Sequence, residues 1–297
     1  MPHPQKGDSM YTLKELLTDA KKNHYAVGSF NFNDFDDSYG MVQGATELNS
    51  PIILMTSVSI VTKFIKPATC VKIAEGLEKE HNVPVCLFLD HCTDFNLIKE
   101  CIDAGYKSVM IDASKYDYLE NIRITKEVVE YAHERGVSVE AELGKISGHE
   151  DNVNVEDKNA FLTDPEDVEY FVKETGVDAL AVSIGTAHGF YKEAPHIDFE
   201  RLEKIVAKTD CPLVLHGGTG VPLEDLKKAV EIGVCKVNVG TEFKKRFTDA
   251  IKRVYINNPE EIDPRPFMRE VRNECANAVK EKIEIFGSKD KKENFQK

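Results

Sequence analysis

Residues 85–112, which read VCLFLDHCTDFNLIKECIDAGYKSVMID, contain the pattern that decides the fold of this chain. Two short apolar runs, Val85–Asp90 and Ser108–Asp112, lie on either side of a longer amphipathic stretch. Runs of this length, rich in Val and Ile, are typical of strands buried on both faces of a parallel sheet. The segment therefore predicts one strand–helix–strand unit.

The same alternation continues in both directions along the chain. The other apolar runs predicted as strands are 26–30, 52–56, 137–142, 179–184, 213–216 and 236–239. Capping residues, prolines and glycines predict helices over 121–134, from Asp164, from Pro222 to Gly233, and over 264–286. Eight such units without a Ser/Gly-rich linker favour a single α/β (β/α)8 TIM barrel with a C-terminal helical extension. They disfavour the two domains that a length of 297 residues also allows.

The ends of the chain differ in character from the barrel region. The barrel domain is expected over residues 10–287, including the C-terminal helix 264–286 that Gly287 would cap. Residues 1–9 are expected to form a disordered or tag-like leader, and the charged residues 288–297 a disordered tail. Residues 147–163, after the fifth strand, are expected to form a polar loop long enough to act as a mobile lid.

Composition excludes several classes of protein and partner. A net charge of −13 argues against a broad surface for nucleic acid or for an anionic membrane. No apolar run approaches the length of a transmembrane helix. The seven cysteines are odd in number, are never spaced C-x-x-C and lie mostly in apolar runs. They indicate free thiols in a reducing cytoplasm.

Three histidines follow predicted strands at the barrel edge where chemistry is expected. His91, His188 and His216 come at the ends of the third, sixth and seventh strands, and active sites of barrels lie at the carboxyl ends of the strands. Three converging imidazoles match a zinc site with an open position for substrate. The alternative is a polar rim that binds a sugar without a metal.

Three acidic residues lie at the same edge. Asp90 precedes the first of these histidines and could carry a proton or orient a neighbouring imidazole. Asp112 and Glu142 end the fourth and fifth strands. They are candidates for binding a second metal or for orienting the ligands of the first. The alternative is a pair of salt bridges with Lys115 or Lys145.

Two glycine-containing segments follow the last two strands. Residues 216–220 read HGGTG, and residues 238–241 read NVGT. Barrels frequently bind a phosphate at these two loops. Glycines let backbone N–H groups approach an anion, and threonine hydroxyls can add donors. These loops would allow an acidic chain to bind a phosphate.

Together, these motifs resemble the class II, metal-dependent ketose-bisphosphate aldolases, the family of fructose- and tagatose-1,6-bisphosphate aldolases. The resemblance extends over nearly the whole chain. Its most specific parts are residues 89–91, 144–151, 185–189, 215–220 and 237–241.

The resemblance implies reversible retro-aldol cleavage of a ketose 1,6-bisphosphate to dihydroxyacetone phosphate and an aldehyde such as glyceraldehyde 3-phosphate. It implies that Asp90 is the acid/base at the C4 hydroxyl and that Glu150 takes part in proton exchange at C3. Zinc would be bound by His91, His188 and His216, and in some members the positions of Asp112 and Glu142 hold a second divalent metal. A monovalent cation, and a homodimer or homotetramer, also follow by analogy.

The resemblance further implies how the substrate is held. The residues that would bind the dihydroxyacetone-phosphate half are Ser57, Gly189, Gly217, Gly218, Thr219, Asn238, Val239, Gly240 and Thr241. Lys244 stands where many relatives have an arginine for the far phosphate. Gly240 stands where many fructose-bisphosphate aldolases have an aspartate, whereas tagatose-type members have a small residue. The identity of the ketose therefore stays open.

Other functions compete with this interpretation. The chain could be an aldolase acting on another ketose 1-phosphate. A Schiff-base aldolase could use Lys236, which lies on the eighth strand in phase with Asn238. A non-catalytic phosphosugar-binding barrel would be expected to lack a ligand or the acid, yet Asp90 and the three histidines are all present.

Overall fold

The computed structural model describes residues 10–150, 153–155, 161–189 and 195–295. Within them, eight parallel strands close a barrel in the order β1-β11-β10-β8-β5-β4-β3-β2, and β7, β6 and β9 form a small separate sheet. The strands are β1 (Val27–Asn31), β2 (Ile52–Ser57), β3 (Val85–Cys92), β4 (Ser108–Ile111), β5 (Ser138–Leu143), β6 (Ser147–Glu150), β7 (Val153–Val155), β8 (Ala179–Val182), β9 (Ala187–His188), β10 (Leu213–Leu215) and β11 (Val234–Val239). The predicted TIM barrel is confirmed.

The helices surround the barrel in the alternating order that the sequence predicts. They are α1 (Leu13–Lys22), α2 (Phe35–Glu47), α3 (Pro67–His81), α4 (Phe95–Ala104), α5 (Tyr118–His133), α6 (Pro165–Thr175), α7 (Phe199–Val206), α8 (Leu223–Ile232), α9 (Thr241–Asn257) and α10 (Pro264–Phe286). A π-helical turn covers Ile60–Phe64, and a 3-10 turn covers Lys292–Phe295.

Local signals set the ends of several helices. The Asp164 side chain accepts a hydrogen bond from the backbone N–H of Glu166, so α6 begins at Pro165 as predicted. Gly287 ends α10 in the left-handed conformation, with φ of 70°. The fifth helix begins three residues earlier than the predicted Asn121, because the Asp117 side chain caps it.

The barrel interior is apolar at one end and polar at the other. Helix α1 closes the amino end of the barrel, where Leu13, Leu16 and Leu17 pack with interior residues such as Val27 and Phe88. At or next to the carboxyl ends of the strands lie the buried polar or charged residues Ser57, Asp90, Asp112, Glu142 and Asn238, and Glu140 lies in the middle of β5. The apolar end supplies the core packing, and the polar end positions the site.

Two segments differ from the sequence-based expectation. Part of the predicted loop 147–163 is a hairpin of β6 and β7, and β6 pairs in parallel with β9. The prediction of a disordered tail is wrong for residues 288–295. Ser288 is buried and its hydroxyl hydrogen-bonds that of Ser50 at 2.9 Å, while the Phe295 ring packs edge-on against Tyr11. These long-range contacts hold residues 288–295 against the barrel despite their charged composition. The predicted leader, residues 1–9, lies outside the described residues.

All seven cysteines are free and buried. Among the helices that the structure describes, none is both long enough and apolar enough to cross a lipid bilayer.

Candidate active site

Three buried histidines converge at the carboxyl end of the barrel. His91 lies in β3, His188 in β9, and His216 directly after β10. One ring nitrogen from each lies within 4.8 Å of the other two. The Nε2 of His91 and the Nδ1 of His216 are 2.8 Å apart. The structure therefore brings together the three imidazoles that the sequence analysis selected.

Carboxylates hold the outer nitrogens of two of these rings. Asp112 Oδ2 lies 3.1 Å from His91 Nδ1, and Glu140 Oε1 lies 2.8 Å from His216 Nε2. Since a carboxylate accepts from an imidazole N–H, the nitrogens of His91 and His216 that face one another carry lone pairs. Lone pairs at 2.8 Å repel unless a proton or a metal cation lies between them. The donor set therefore fits a metal that imidazole binds well, such as zinc.

The surrounding carboxylates make this point favourable for a cation. Burial lowers the pKa of His91, but Asp90, Asp112 and Glu142 outweigh burial and hold that pKa well above its ordinary value. Burial also lowers the pKa of His216, and this effect exceeds the opposing effect of the hydrogen bond that the ring donates to Glu140. Positive charge is thus stabilised at His91, the ring that the three carboxylates surround.

One carboxylate oxygen of Asp112 and one of Glu142 lie within 4.8 Å of a ring nitrogen of His91. The two carboxylates differ in their environments. Although burial alone would raise the pKa of Asp112, its bonds to His91 and Ser114 hold that pKa well below its usual range. Burial and the charge of Asp112 raise the pKa of Glu142 to about 8. One Glu142 oxygen, Oε2, has no hydrogen-bond partner among the described residues. His91, Asp112 and Glu142 could together hold a second cation.

The lysines considered as alternative partners of these acids contact aromatic rings. The ammonium of Lys115 lies 5.0 Å from the ring centroid of Tyr116. That of Lys145 lies 5.9 Å from the ring centroid of Phe161. The salt bridges proposed as the alternative for the two acids do not occur among the described residues.

Asp90 and His91 both reach the site because β3 is irregular there. Successive side chains of a regular strand point to opposite faces, so neighbours would diverge. His91 adopts a left-handed backbone with φ of 45°, and the pairing of β3 with β4 shifts register between Leu89 and Cys92. The buried Asp90 accepts a hydrogen bond from Asn238 Nδ2 at 3.3 Å. Ser57 lies directly beside Asp90 in the pairing of β2 with β3.

The two glycine-containing loops lie side by side. The N–H of Gly218 donates to the Asn238 carbonyl at 3.0 Å, and the N–H of Glu242 donates to the Thr219 hydroxyl at 3.1 Å. Gly217 has a φ of 69°, and a Cβ there would lie 2.3 Å from the carbonyl oxygen of Ala187. The chain therefore needs glycine at the point where the loops carrying two of the histidines touch.

The other predicted substrate-binding residues surround these loops. Val239 ends β11, Gly240 precedes α9 as its N-cap, and Thr241 and Lys244 lie in its first turn. Backbone N–H groups at the start of a helix can bind a phosphate. Gly189 follows β9 with a φ of 92°. The backbone of Glu150 is in β6, but its side chain lies outside the described part of the structure.

Glu140 belongs to the site although it is not among the residues predicted from the sequence, and Lys236 has a role other than the one considered above. Both side chains are fully buried, and the ammonium of Lys236 donates to Glu140 Oε2 at 2.8 Å. The signal was present in the sequence, because Glu140 is two residues before Glu142 on the same face of β5. An ammonium paired in this way offers no lone pair for attack on a carbonyl. The ion pair therefore argues against a Schiff-base mechanism.

Comparisons with known proteins agree on one family. A family model described as fructose-bisphosphate aldolase class-II matches residues 11–291. The fructose-bisphosphate aldolase of Staphylococcus aureus is 43% identical over 281 residues, which are 94% of this chain and 98% of the relative. That of Geobacillus stearothermophilus is 43% identical and covers 95% and 99% of the two chains. The crystal structure of the YdjI aldolase from Escherichia coli K12 has a TM-score of 0.84 and 32% identity, covering 95% of this chain and 99% of that one.

Proposed function

Because this chain belongs to the class II fructose-bisphosphate aldolase family and is therefore a lyase, we propose that it cleaves a ketose 1,6-bisphosphate of the fructose or tagatose type. The products are dihydroxyacetone phosphate and an aldehyde such as glyceraldehyde 3-phosphate, and the reaction is reversible. The observation that carries this proposal is the convergence of three imidazoles, two of them backed by carboxylates, beside the buried Asp90.

His91, His188 and His216 would hold the metal of this reaction, which we propose to be zinc. Bound there, zinc would supply a Lewis acid for the negative charge left on the dihydroxyacetone-phosphate half when the C3–C4 bond breaks. Asp112 and Glu140 orient two of the three imidazoles through their outer nitrogens. A second divalent metal at Asp112 and Glu142, and a monovalent cation, are further proposals that the carboxylate-rich surroundings support.

Asp90 acts as the acid/base of the cleavage step. Its carboxylate takes the proton of the C4 hydroxyl as the C3–C4 bond breaks and the carbonyl of the aldehyde forms, and it returns this proton in the reverse reaction. The hydrogen bond from Asn238 restricts the orientation of the carboxylate. Glu150 is proposed to exchange a proton at C3.

The loops after β10 and β11 bind the phosphate of the dihydroxyacetone half. Apart from the N–H of Gly218, which donates to Asn238, backbone N–H groups of residues 217–219 and 240–241 and of the first turn of α9 supply the donors. They add no net charge, which suits a chain of net charge −13. Ser57, Gly189, Asn238 and Val239 complete the proposed cradle. Lys244 is proposed to attract the far phosphate as a point charge, without the two-pronged contact that an arginine makes.

Two properties inferred from the family stay predictions. We expect a homodimer or homotetramer that acts in the cytoplasm. Both ketoses are candidate substrates, because the relatives are named for fructose bisphosphate whereas Gly240 resembles the tagatose type.

A coupled cleavage assay tests the proposal. Fructose 1,6-bisphosphate, tagatose 1,6-bisphosphate and a panel of ketose 1-phosphates are supplied with EDTA, with EDTA followed by zinc, and with neither. We expect cleavage of a bisphosphate that EDTA abolishes and zinc restores. Asp90→Asn should retain zinc but lose about 100- to 10,000-fold in kcat. Cleavage that resists EDTA and is inactivated by borohydride would instead establish the Schiff-base mechanism. Exclusive cleavage of a monophosphate would overturn the proposed substrate class.

A further inference from the structure

A buried ion pair lies next to the histidine cluster and is not explained by packing. The side chains of Glu140 in β5 and Lys236 in β11 are fully buried, and their charged groups are 2.8 Å apart. In the barrel order, β8 and β10 separate their strands, so the pair spans the interior. The ammonium of Lys236 also lies 4.1 Å from the centroid of the Phe88 ring. The pair therefore lies where the apolar and polar ends of the interior meet.

Burying such an ion pair costs free energy of folding compared with placing apolar side chains at the same position. Removing a carboxylate and an ammonium from water costs several kcal/mol for each ion, and well-packed apolar residues of similar volume often give equal or greater stability. The neighbouring strand positions carry buried apolar side chains: Met110 pairs with Glu140, and Val27 and Val214 pair with Lys236. Packing alone therefore gives no reason to place two charges at this position.

The contact with His216 supplies a reason. One oxygen of Glu140, Oε2, accepts from the Lys236 ammonium, and the other, Oε1, lies 2.8 Å from His216 Nε2. The lysine thus holds the carboxylate in the orientation that presents Oε1 to the ring. The hydrogen bond at Nε2 in turn selects the tautomer whose Nδ1 lone pair faces His91.

The other oriented histidine shows the same arrangement with neutral donors. Asp112 presents Oδ2 to His91 Nδ1, while its Oδ1 accepts from the N–H of Ser114 at 3.1 Å and from its hydroxyl at 2.7 Å. In both cases one oxygen of the carboxylate holds the imidazole and the other oxygen is held by donors. For Glu140, in the middle of β5, that donor is a lysine from another strand.

We propose that Glu140 and Lys236 are positioning residues for the metal centre, and that Lys236 acts through Glu140. The ion pair fixes the ring orientation and tautomer of His216 so that Nδ1 is available as a ligand. This inference rests on the proposed function, because it takes the three histidines to be the ligands of zinc.

Metal affinity, measured separately from activity, tests the inference. Glu140→Gln, Lys236→Met and the double variant are prepared as apo proteins. The dissociation constant for zinc is measured by competition with a chromophoric chelator, and the absorption spectrum of the cobalt-substituted protein reports the ligand geometry. Urea denaturation of each apo protein measures its stability. The matched control is Lys282→Met. Lys282 is also buried, and its ammonium lies 2.9 Å from a carboxylate oxygen of Glu242. That ion pair joins α10 to α9 and does not contact a histidine of the cluster.

Each single variant should bind zinc about 10- to 100-fold more weakly than the wild type, with an altered cobalt spectrum. Since the lysine acts through the carboxylate, the double variant should bind zinc no more weakly than Glu140→Gln alone. The double variant also removes both charges, so it keeps the test valid if Lys236→Met does not fold. Lys282→Met should lose stability and keep its zinc affinity.

Three results would overturn parts of the reasoning in distinguishable ways. Unchanged zinc affinity and cobalt spectrum in Glu140→Gln and in the double variant would refute a positioning role. Additive losses in the double variant would show that Lys236 does not act through Glu140. A wild-type protein that binds no zinc would overturn the proposed function itself, and the inference with it.

Discussion

Replacing Gly217 with alanine should separate the loops that carry His188 and His216. A Cβ at Gly217 would lie 2.3 Å from the carbonyl oxygen and 2.7 Å from the carbonyl carbon of Ala187, the residue before His188. These are backbone atoms, which cannot move aside as the end of a flexible side chain can. The chain must therefore shift at the point where two proposed zinc ligands meet.

The expected cost has two parts, and the chain offers a control that separates them. Gly217 has a φ of 69°, and Gly136 has a φ of 67° but would place its Cβ in open space, with nothing within 4 Å. A left-handed backbone costs alanine about 1–2 kcal/mol relative to glycine, and both variants carry this cost. Overpacking adds about 1–3 kcal/mol in Gly217→Ala alone. We therefore expect losses of about 1–2 kcal/mol for Gly136→Ala and about 2–5 kcal/mol for Gly217→Ala.

Urea denaturation of the two apo variants measures this difference, and zinc competition and turnover measure its effect on the site. Because a displacement of about 1 Å can cost on the order of 100-fold in rate, Gly217→Ala should lose activity and zinc affinity while Gly136→Ala keeps both. Equal stability of the two variants, together with wild-type zinc affinity in Gly217→Ala, would refute the reasoning.

Three further predictions concern helix packing, a buried charge and the C-terminal residues. A Cβ at Gly44 would lie 2.6 Å from a backbone oxygen of α10, whereas one at Gly76 in α3 would meet nothing within 4 Å. In urea denaturation, Gly44→Ala should therefore cost about 1–2 kcal/mol and Gly76→Ala should gain about 0.5–1 kcal/mol; effects of the same sign would contradict this. Burial raises the pKa of Glu78 from 4.5 to about 7. Between pH 4.5 and about pH 7 the folded state therefore keeps a proton on Glu78 that the unfolded state has lost. The free energy of unfolding falls as the pH rises through this range. The Tm of Glu78→Gln relative to the wild type should thus increase from about pH 5 to about pH 8, and a difference independent of pH would count against it. Phe295→Ala should lower the free energy of unfolding by about 1 kcal/mol with unchanged turnover, because this ring packs against the N-terminal region; no loss of stability would show that the tail contributes nothing.

Much of the fold follows from patterns that act over a few residues. Every run predicted as a strand is a strand, with its ends moved by no more than two residues. The cap at Asp164 and the left-handed Gly287 bound α6 and α10 as predicted. Short apolar runs and capping residues are local properties, so the sequence specifies them without knowledge of the tertiary structure.

The three histidines and Asp90 were also predictable, because barrel topology gathers the carboxyl ends of all its strands at one edge. Knowing which residues end the strands was then sufficient to predict that they converge. The irregular backbone at His91, with φ of 45°, had no signal in the sequence. That irregularity allows two adjacent residues to reach the same site.

The partners of the site were decided only by the tertiary structure. Glu140 and Lys236 are 96 residues apart in the sequence. In a sequence, a charged residue that is buried on a strand is seen only as an interruption of an apolar run, and nothing indicates its partner. Likewise, residues 288–295 have a composition typical of a tail but are held by contacts with Tyr11 and Ser50, more than 230 residues earlier in the chain. The sequence by itself determined the strands, the helices and the edge at which chemistry-bearing residues meet, because periodicity and capping are local. The pairing of each carboxylate oxygen with an imidazole nitrogen, and of Glu140 with Lys236, depends on distances across the closed barrel. Only the folded chain establishes those distances.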